Sequence, residues 1–158
     1  MIKPDIYIDL GDTGEWELFS NHHWKGLDRP PDHILIPMLD DSVDVVNKGM
    51  NQIDESLDIA ECKTRHFVQG NHEVWLDNFA KKETRPRFLT KNALKLNERG
   101  YKYHPYFRKR PLKIGKLNFT HGHRTGMHHA KAHLIMYGES VMYGHTHDLQ
   151  RHTHTGLG

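Results

Sequence analysis

Four short stretches of this sequence carry residues that could do chemistry together. Gly11-Asp12-Thr13-Gly14-Glu15 places a carboxylate just beyond an apolar run. A carboxylate in that position can bridge two cations, which sit about 3.5–4 Å apart in two-metal sites, although Asp-Thr-Gly is equally a turn or helix-cap sequence. Gly70-Asn71-His72-Glu73 offers a neutral oxygen ligand in Asn71 and a proton donor in His72. The adjoining Glu73 is expected to accept from the other ring nitrogen of His72 and fix its tautomer. The plain alternative is that Asn71 caps a following helix. His121-Gly122-His123 and Gly144-His145-Thr146-His147 each repeat His-x-His, and in extended chain residues i and i+2 point the same way. Nine of the 15 histidines fall between His121 and His154. Imidazole is the commonest metal ligand and titrates near neutral pH, so the spacing of these four elements points to cation binding with acid–base work beside it.

The elements that must position these residues read as follows. Ile6–Leu10 is a short buried strand punctuated by Gly11, and residues 13–33 form a long loop. Asp41–Ile59 is a helix capped by Asp41 or Ser42, with Val45, Val46, Met50, Ile53 and Leu57 at helical spacing. Thr64–Gln69 is a strand ending at Gly70. Glu73 to about Glu83 is helical, with Trp75, Leu76 and Phe79 on one side, and Lys91–Arg99 is a second helix closed by Gly100. Tyr101–Phe107 is a strand, and Leu112–Ile114 with Leu117–Thr120 forms a hairpin around Gly115-Lys116. Met127 to about Gly138 is helical, and Val141–Tyr143 is a strand ending at Gly144. Alternation of strands and helices favours an α/β architecture. The four polar stretches all follow apparent strands, and sites in open α/β sheets form beyond the carboxyl ends of strands.

The bulk numbers narrow the classes. With 158 residues the chain is one domain, and a net charge of +2 from 22 basic and 20 acidic residues is too balanced to argue for nucleic acid by itself. No stretch approaches the roughly 18 apolar residues of a membrane span, and the N-terminus has no signal-peptide pattern. The single cysteine, Cys62, forms no internal disulfide and suits a reducing, cytoplasmic compartment. It reads as a small residue near a helix end.

The ordered set Gly-Asp-x-x-Glu, Gly-Asn-His-Glu, His-Gly-His and Gly-His-Thr-His resembles the signature of calcineurin-like metallophosphoesterases, from Pro4 to about Thr153. Gly-Asn-His-Glu with Gly-His-Thr-His is its specific part. The resemblance implies a sandwich of two mixed β-sheets flanked by helices, with a centre of two divalent ions (Mn, Fe or Zn) at the strand ends. It implies that Asp12 bridges both ions, that Asn71, His121 and His145 complete one site, and that His147 serves the other. His72 would stabilise or protonate the leaving group with Glu73 behind it, while His123 and Glu15 would lie in a second layer or face substrate. The implied reaction is hydrolysis of a phosphomonoester or phosphodiester by hydroxide generated at the two ions. Nucleotide and nucleic acid are candidate substrates, and small bacterial and phage enzymes are the nearest type.

The sequence departs from that pattern in one respect. The family opens with a strand followed by Asp-x-His, and nothing before Asp12 supplies it. Asp9-Leu10-Gly11-Asp12 fits poorly as that first motif, because Leu39-Asp40-Asp41 would then have to be the second and lacks its glycine. The expectation is a domain incomplete at both ends that holds one ion or two. The rival reading is a metal-binding or interaction domain without turnover. A third reading, a nucleic-acid-binding module without catalysis, rests on the basic run Arg108-Lys109-Arg110 with Lys113 and Lys116, which reads more simply as a solvated hairpin. His129 and His133, four apart on a helix, share a face and could bind zinc, but are expected to be exposed or substrate-facing. His152 and His154 are expected in solvent or loop. Trp16, His22, His23 and Trp24 are expected either to line a substrate rim or to pack partly into the core.

Overall fold

The structure, a computed structural model, describes residues 3–106 and 110–153. It is an α/β chain with two three-stranded sheets. In the first, β1 (Ile6–Asp9), β2 (Thr64–Val68) and β3 (Tyr101–His104) run parallel in that order. In the second, β4 (Leu112–Ile114) pairs antiparallel with β5 (Leu117–Thr120), which pairs parallel with β6 (Val141–Tyr143). Only the second sheet is therefore mixed. The first is wholly parallel because helical connections return the chain to the same end each time. Ile6, Ile8 and Leu10 from the first sheet and Ile114, Phe119 and Met142 from the second line a shared apolar groove.

Among the described residues, four α-helices frame the sheets: α1 (Asp32–Ile59), α2 (Asn71–Lys82), the short α3 (Thr90–Ala93) and α4 (His129–Tyr137). The core gathers Leu35, Leu39 and Met50 from α1, Phe67 from β2, Leu76 and Phe79 from α2, and Leu94 and Leu96 beyond α3. Each fully buried aliphatic of this kind contributes about 1.5–3 kcal/mol. Phe19, Phe79 and Phe88 add three edge-to-face contacts with ring centroids 5.3–5.7 Å apart. Asp54 on α1 bonds both Arg65 of β2 and Arg99 before β3, and Arg99 also donates to Asn47 Oδ1 at 3.0 Å. That network pins α1 to the sheet.

Several expected boundaries shift. α1 begins at Asp32, well before the Asp41 start that capping predicts, and it carries Pro37 inside it. Pro31 caps it through its carbonyl, which accepts from the N–H groups of Ile34 and Leu35 at 2.9 and 3.0 Å. Asp41 and Ser42 thus lie in mid-helix, and the Ser42 hydroxyl donates back to the Met38 carbonyl. The helix expected over Lys91–Arg99 stops at Ala93, and Lys95 adopts φ 52°. β3 ends at His104, and Phe107 lies outside the described residues. So do Arg108, Lys109 and His154, so that of the basic run only Arg110, Lys113 and Lys116 lie among the described residues. The hairpin at Gly115-Lys116 and the strands at Thr64 and Val141 stand where the sequence puts them. Cys62 is buried just past α1 as a free thiol. Among the described residues no helix is long and apolar enough to cross a membrane.

Candidate metal centre

Parallel neighbours end on the same edge of a sheet, so β1 and β2 deliver Asp12 and Asn71 from adjacent loops, and β5 and β6 deliver His121 and His145 in the same way. The first two loops nearly touch. A Cβ on Gly11, at φ 83°, would stand 2.2 Å from the Gly70 nitrogen, and a Cβ on Gly70 would stand 2.3 Å from Asp12 Oδ1. Only glycine tolerates that approach, which is why both of these stretches open with one. The Gly144 N–H donates to the His121 carbonyl at 3.0 Å and ties the other two loops together.

The outcome is one tight group of donors. His121 Nε2 has Asp12 Oδ2 at 3.0 Å, Asn71 Oδ1 at 2.9 Å and His145 Nδ1 at 3.1 Å. His121 Nδ1 lies 2.7 Å from the Leu10 carbonyl oxygen. A carbonyl can only accept, so Nδ1 carries the proton and Nε2 of the neutral ring presents a lone pair. A lone pair facing a carboxylate oxygen, an amide oxygen and a second imidazole is repulsive unless a positive charge lies among them. Protonating Nε2 would satisfy one of the three. Bonds of about 2.1 Å in an octahedral site put adjacent donors about 3.0 Å apart, which matches all three separations. The donor set therefore fits a divalent cation. Among the described residues, Asp12, His121 and His145 form the only group of three or more His, Cys, Asp or Glu with metal-binding spacing.

Electrostatics follow the same arrangement. Burial alone would raise the Asp12 carboxyl, but the His121 imidazole beside it and the His72 N–H, which donates to Oδ1, outweigh burial and hold the group below the usual carboxylate range. Burial works against charge on His121 too, yet the Asp12 carboxylate and the Leu10 carbonyl turn the balance and raise its pKa. His145 is pushed down, first by burial and then by charge at His121. Asp12 at φ 55° and His145 at φ 69° both sit in the left-handed region. Such conformations cost on the order of 1–3 kcal/mol and collect at functional sites.

Glu73 departs from its expected place behind His72. It is wholly buried, and Oε2 accepts from the backbone N–H groups of Asp12 (2.8 Å) and Gly70 (2.9 Å). Its Oε1 accepts from the Thr13 N–H (2.9 Å) and Trp16 Nε1 (3.1 Å). Burial pushes its pKa up and these donors push back. With every lone pair taken by a donor, the group is the carboxylate anion. Its side chain turns from the first turn of α2 toward the Asp12 loop, so it positions that loop and does not touch His72. The His72 ring instead stacks on Trp75 at 4.2 Å, with Nε2 4.0 Å from Asp12 Oδ2.

The His-x-His pairs do not present two imidazoles each to this group, because neither stretch is extended. Gly122 turns the chain at φ 97°, and His145 and His147 are both left-handed. His147 is exposed and lies outside the cluster, while His123 lines a neighbouring cleft. Glu15 is exposed and lines a shallow groove against α1. His129 and His133 are buried, contrary to expectation. His133 stacks on Tyr143 at 3.9 Å, donates through Nδ1 to the His129 carbonyl and accepts the His123 N–H at Nε2. The pair thus holds β6 and the His123 loop in place. Trp16 is core and Trp24 packs partly on it, while His22 and Trp24 line the cleft. Sequence reading missed the Leu10 carbonyl and the Trp16 indole donor. A backbone oxygen leaves no mark in a sequence, and a tryptophan in a loop does not announce which acceptor it meets.

Comparisons with models of protein families, with curated proteins and with solved structures each find no match. The class defined by the fold and the site is accordingly an α/β chain with one candidate cation centre built from four loops at the carboxyl ends of its strands.

Proposed function

We propose that this chain is a metal-dependent phosphoesterase of the calcineurin-like kind, hydrolysing a phosphomonoester or phosphodiester. The observation that carries the reading is the convergence of Asp12, Asn71, His121 and His145 on one point, each from the motif position the resemblance assigns to a metal ligand. The finer fold assignment, a sandwich of two sheets around that centre, belongs to the same proposal and draws support from the facing apolar surfaces of the two sheets.

Divalent cations held there would supply positive charge to the phosphoryl oxygens and make a nearby water acidic enough to react near neutral pH. The residues of the chain do the rest. Asp12 contributes the negative charge that holds the cation, and Asn71 and the two imidazoles complete the set without adding charge. His121 is kept in the right tautomer by the Leu10 carbonyl. His72, on the first turn of α2 and held against Trp75, is placed to give a proton to the departing oxygen. The positive end of α2 favours anions beside Asn71.

Calorimetric titration with Mn²⁺, paired with hydrolysis of bis(p-nitrophenyl) phosphate, tests this. Saturable cation binding and chelator-sensitive turnover are expected, with His121→Ala slower by roughly 100-fold or more, the scale of losing an electrostatic stabiliser. Turnover indifferent to chelator, or a folded protein that binds no cation, would overturn it. A second reading rests on one observation: His147 is exposed and outside the cluster, leaving the second ion with few ligands. On that reading the chain is a one-ion binding or interaction domain, and the same titration would show a single ion with no hydrolysis.

A further inference from the structure

A cleft of about 630 Å³ opens beside the candidate centre and includes Asn71 and His145 in its lining. It runs along one face of α2, since Asn71, Trp75, Asn78 and Lys82 all line it and recur at helical spacing. From Asn71 to Lys82 that face is about 16 Å long at 1.5 Å per residue. The opposite wall comes from the loop after Trp16, which contributes Ser20, Asn21, His22 and Trp24.

The composition of this cleft is specific. Trp75 stands one helical turn beyond Asn71, close to the span of one sugar from a phosphoryl group seated at the centre. His72 covers one face of its indole, and the rest of the indole lines the cleft. Trp24 lines the same cleft and is held by its own Nε1 donating to the Leu18 carbonyl at 2.9 Å, which leaves its ring as a fixed apolar surface. Amide and hydroxyl groups of Asn21, Asn78 and Ser20 lie among the aromatics. Fixed indoles with a few convergent polar groups suit a flat heteroaromatic ring with hydrogen-bonding edges. Arg29, with its guanidinium 5.5 Å from the Phe79 ring, and Lys82 add positive charge at the far end. Glu83 there is ion-paired to Arg29 at 3.0 Å.

We infer that the ester received by this cleft is a nucleoside phosphate, its phosphoryl group at the Asn71–His145 end and its base stacked on the Trp75 and Trp24 walls. This rests on the phosphoesterase reading for the placement of the phosphoryl group, but the base-binding wall stands on its own residues.

The test is a comparison of three ligands on the full chain with Mn²⁺ present: AMP, ribose 5-phosphate and inorganic phosphate, read by calorimetry and by tryptophan fluorescence. AMP is expected to bind about 5- to 150-fold more tightly than ribose 5-phosphate, the range that base stacking contributes, and to quench tryptophan emission. Trp24→Leu and, separately, Trp75→Leu should each pull the AMP to ribose 5-phosphate affinity ratio toward one, with folding checked by circular dichroism. A phosphorylated dinucleotide binding more tightly still would place the end of a nucleic-acid strand in the cleft, with the same base recognition. Equal affinity for AMP and ribose 5-phosphate in a protein that binds phosphate and hydrolyses esters would overturn the inference and leave the phosphoesterase reading intact. A preserved base preference without cation-dependent hydrolysis would do the reverse. No binding of any of the three would overturn both.

Discussion

Glu73 shows how a single buried charge can organise a site it never enters. Its four acceptor positions are filled by Asp12, Thr13, Gly70 and Trp16, so it fastens the two loops that carry Asp12 and Asn71 and links them to the core through Trp16. Glutamine has the same shape but would turn an NH₂ group toward two of those donors. Each buried donor left without an acceptor costs about 1–3 kcal/mol. Glu73→Gln is therefore expected to lower unfolding free energy by about 2–6 kcal/mol in urea titrations and to weaken Mn²⁺ binding about 10- to 100-fold, the usual effect of losing a ligand's support. A Gln variant with unchanged cation affinity would show that the Gly11–Gly70 contact alone holds Asp12. Thr13, by contrast, gives its hydroxyl to Asp9 at 3.4 Å as well as its N–H to Glu73, so its side chain steadies the base of the same loop.

At the level of the element, α1 is the instructive case. Pro37 is its sixth residue, beyond the first turn where proline is tolerated, and it has no N–H to give to the His33 carbonyl. Its side chain is exposed, so nothing is lost from the core by replacing it. Pro37→Ala is expected to raise stability by about 1–3 kcal/mol, seen as a higher urea midpoint at unchanged slope. A neutral or destabilising result would mean that Pro37 itself is needed to seat Leu35 and Leu39, both of which are fully buried. The helix persists despite the proline because those two leucines, with Met50, supply a buried stripe that outweighs one missing hydrogen bond. The same reasoning explains α4, whose weakly amphipathic sequence is held by buried polar contacts, His129 to Tyr143 and Asp148 and the Ala130 N–H to Gln150.

For the whole molecule, His133, His66 and His104 set a pH dependence that the raised pKa of His121 opposes only in part. His133 is pushed down to about 4, by burial first, and its Nε2 is already occupied as an acceptor. His66 and His104, stacked with 2.8 Å between ring nitrogens, are also lowered, by burial and by neighbouring positive charge. In each case the unfolded chain takes up a proton near pH 6.5 while the folded chain does not. Between about pH 6.5 and 4 the unfolded state binds more protons, so stability falls as the pH drops through that window and is regained above it. His133 alone accounts for about 2–3 kcal/mol by pH 4. Urea midpoints measured from pH 7.5 down to 4.5 are expected to decline, and His133→Phe should flatten the slope while keeping the stack on Tyr143. A midpoint that is flat or rises on acidification would contradict the buried, neutral assignment.

By itself the sequence pointed to Asp12, Asn71, His121 and His145, which the structure brings together, but equally to His147, which lies apart from them. Asp12, Asn71 and His145 were legible because each follows a short strand and a glycine, and His121 because it follows a strand directly; parallel strands leave their ends on one edge. The hairpin at Gly115-Lys116 and the C-terminal Gly138 of α4 were legible for the same local reasons. Tertiary structure alone decided how those residues are used. Whether a His-x-His pair shares a face depends on φ at Gly122 and His145, whether Glu73 serves His72 or the Asp12 loop depends on which donors lie above α2, and whether Pro37 breaks a helix depends on what Leu35 and Leu39 pack against. Each of these is settled by contacts between segments tens of residues apart, and local spacing carries no record of them.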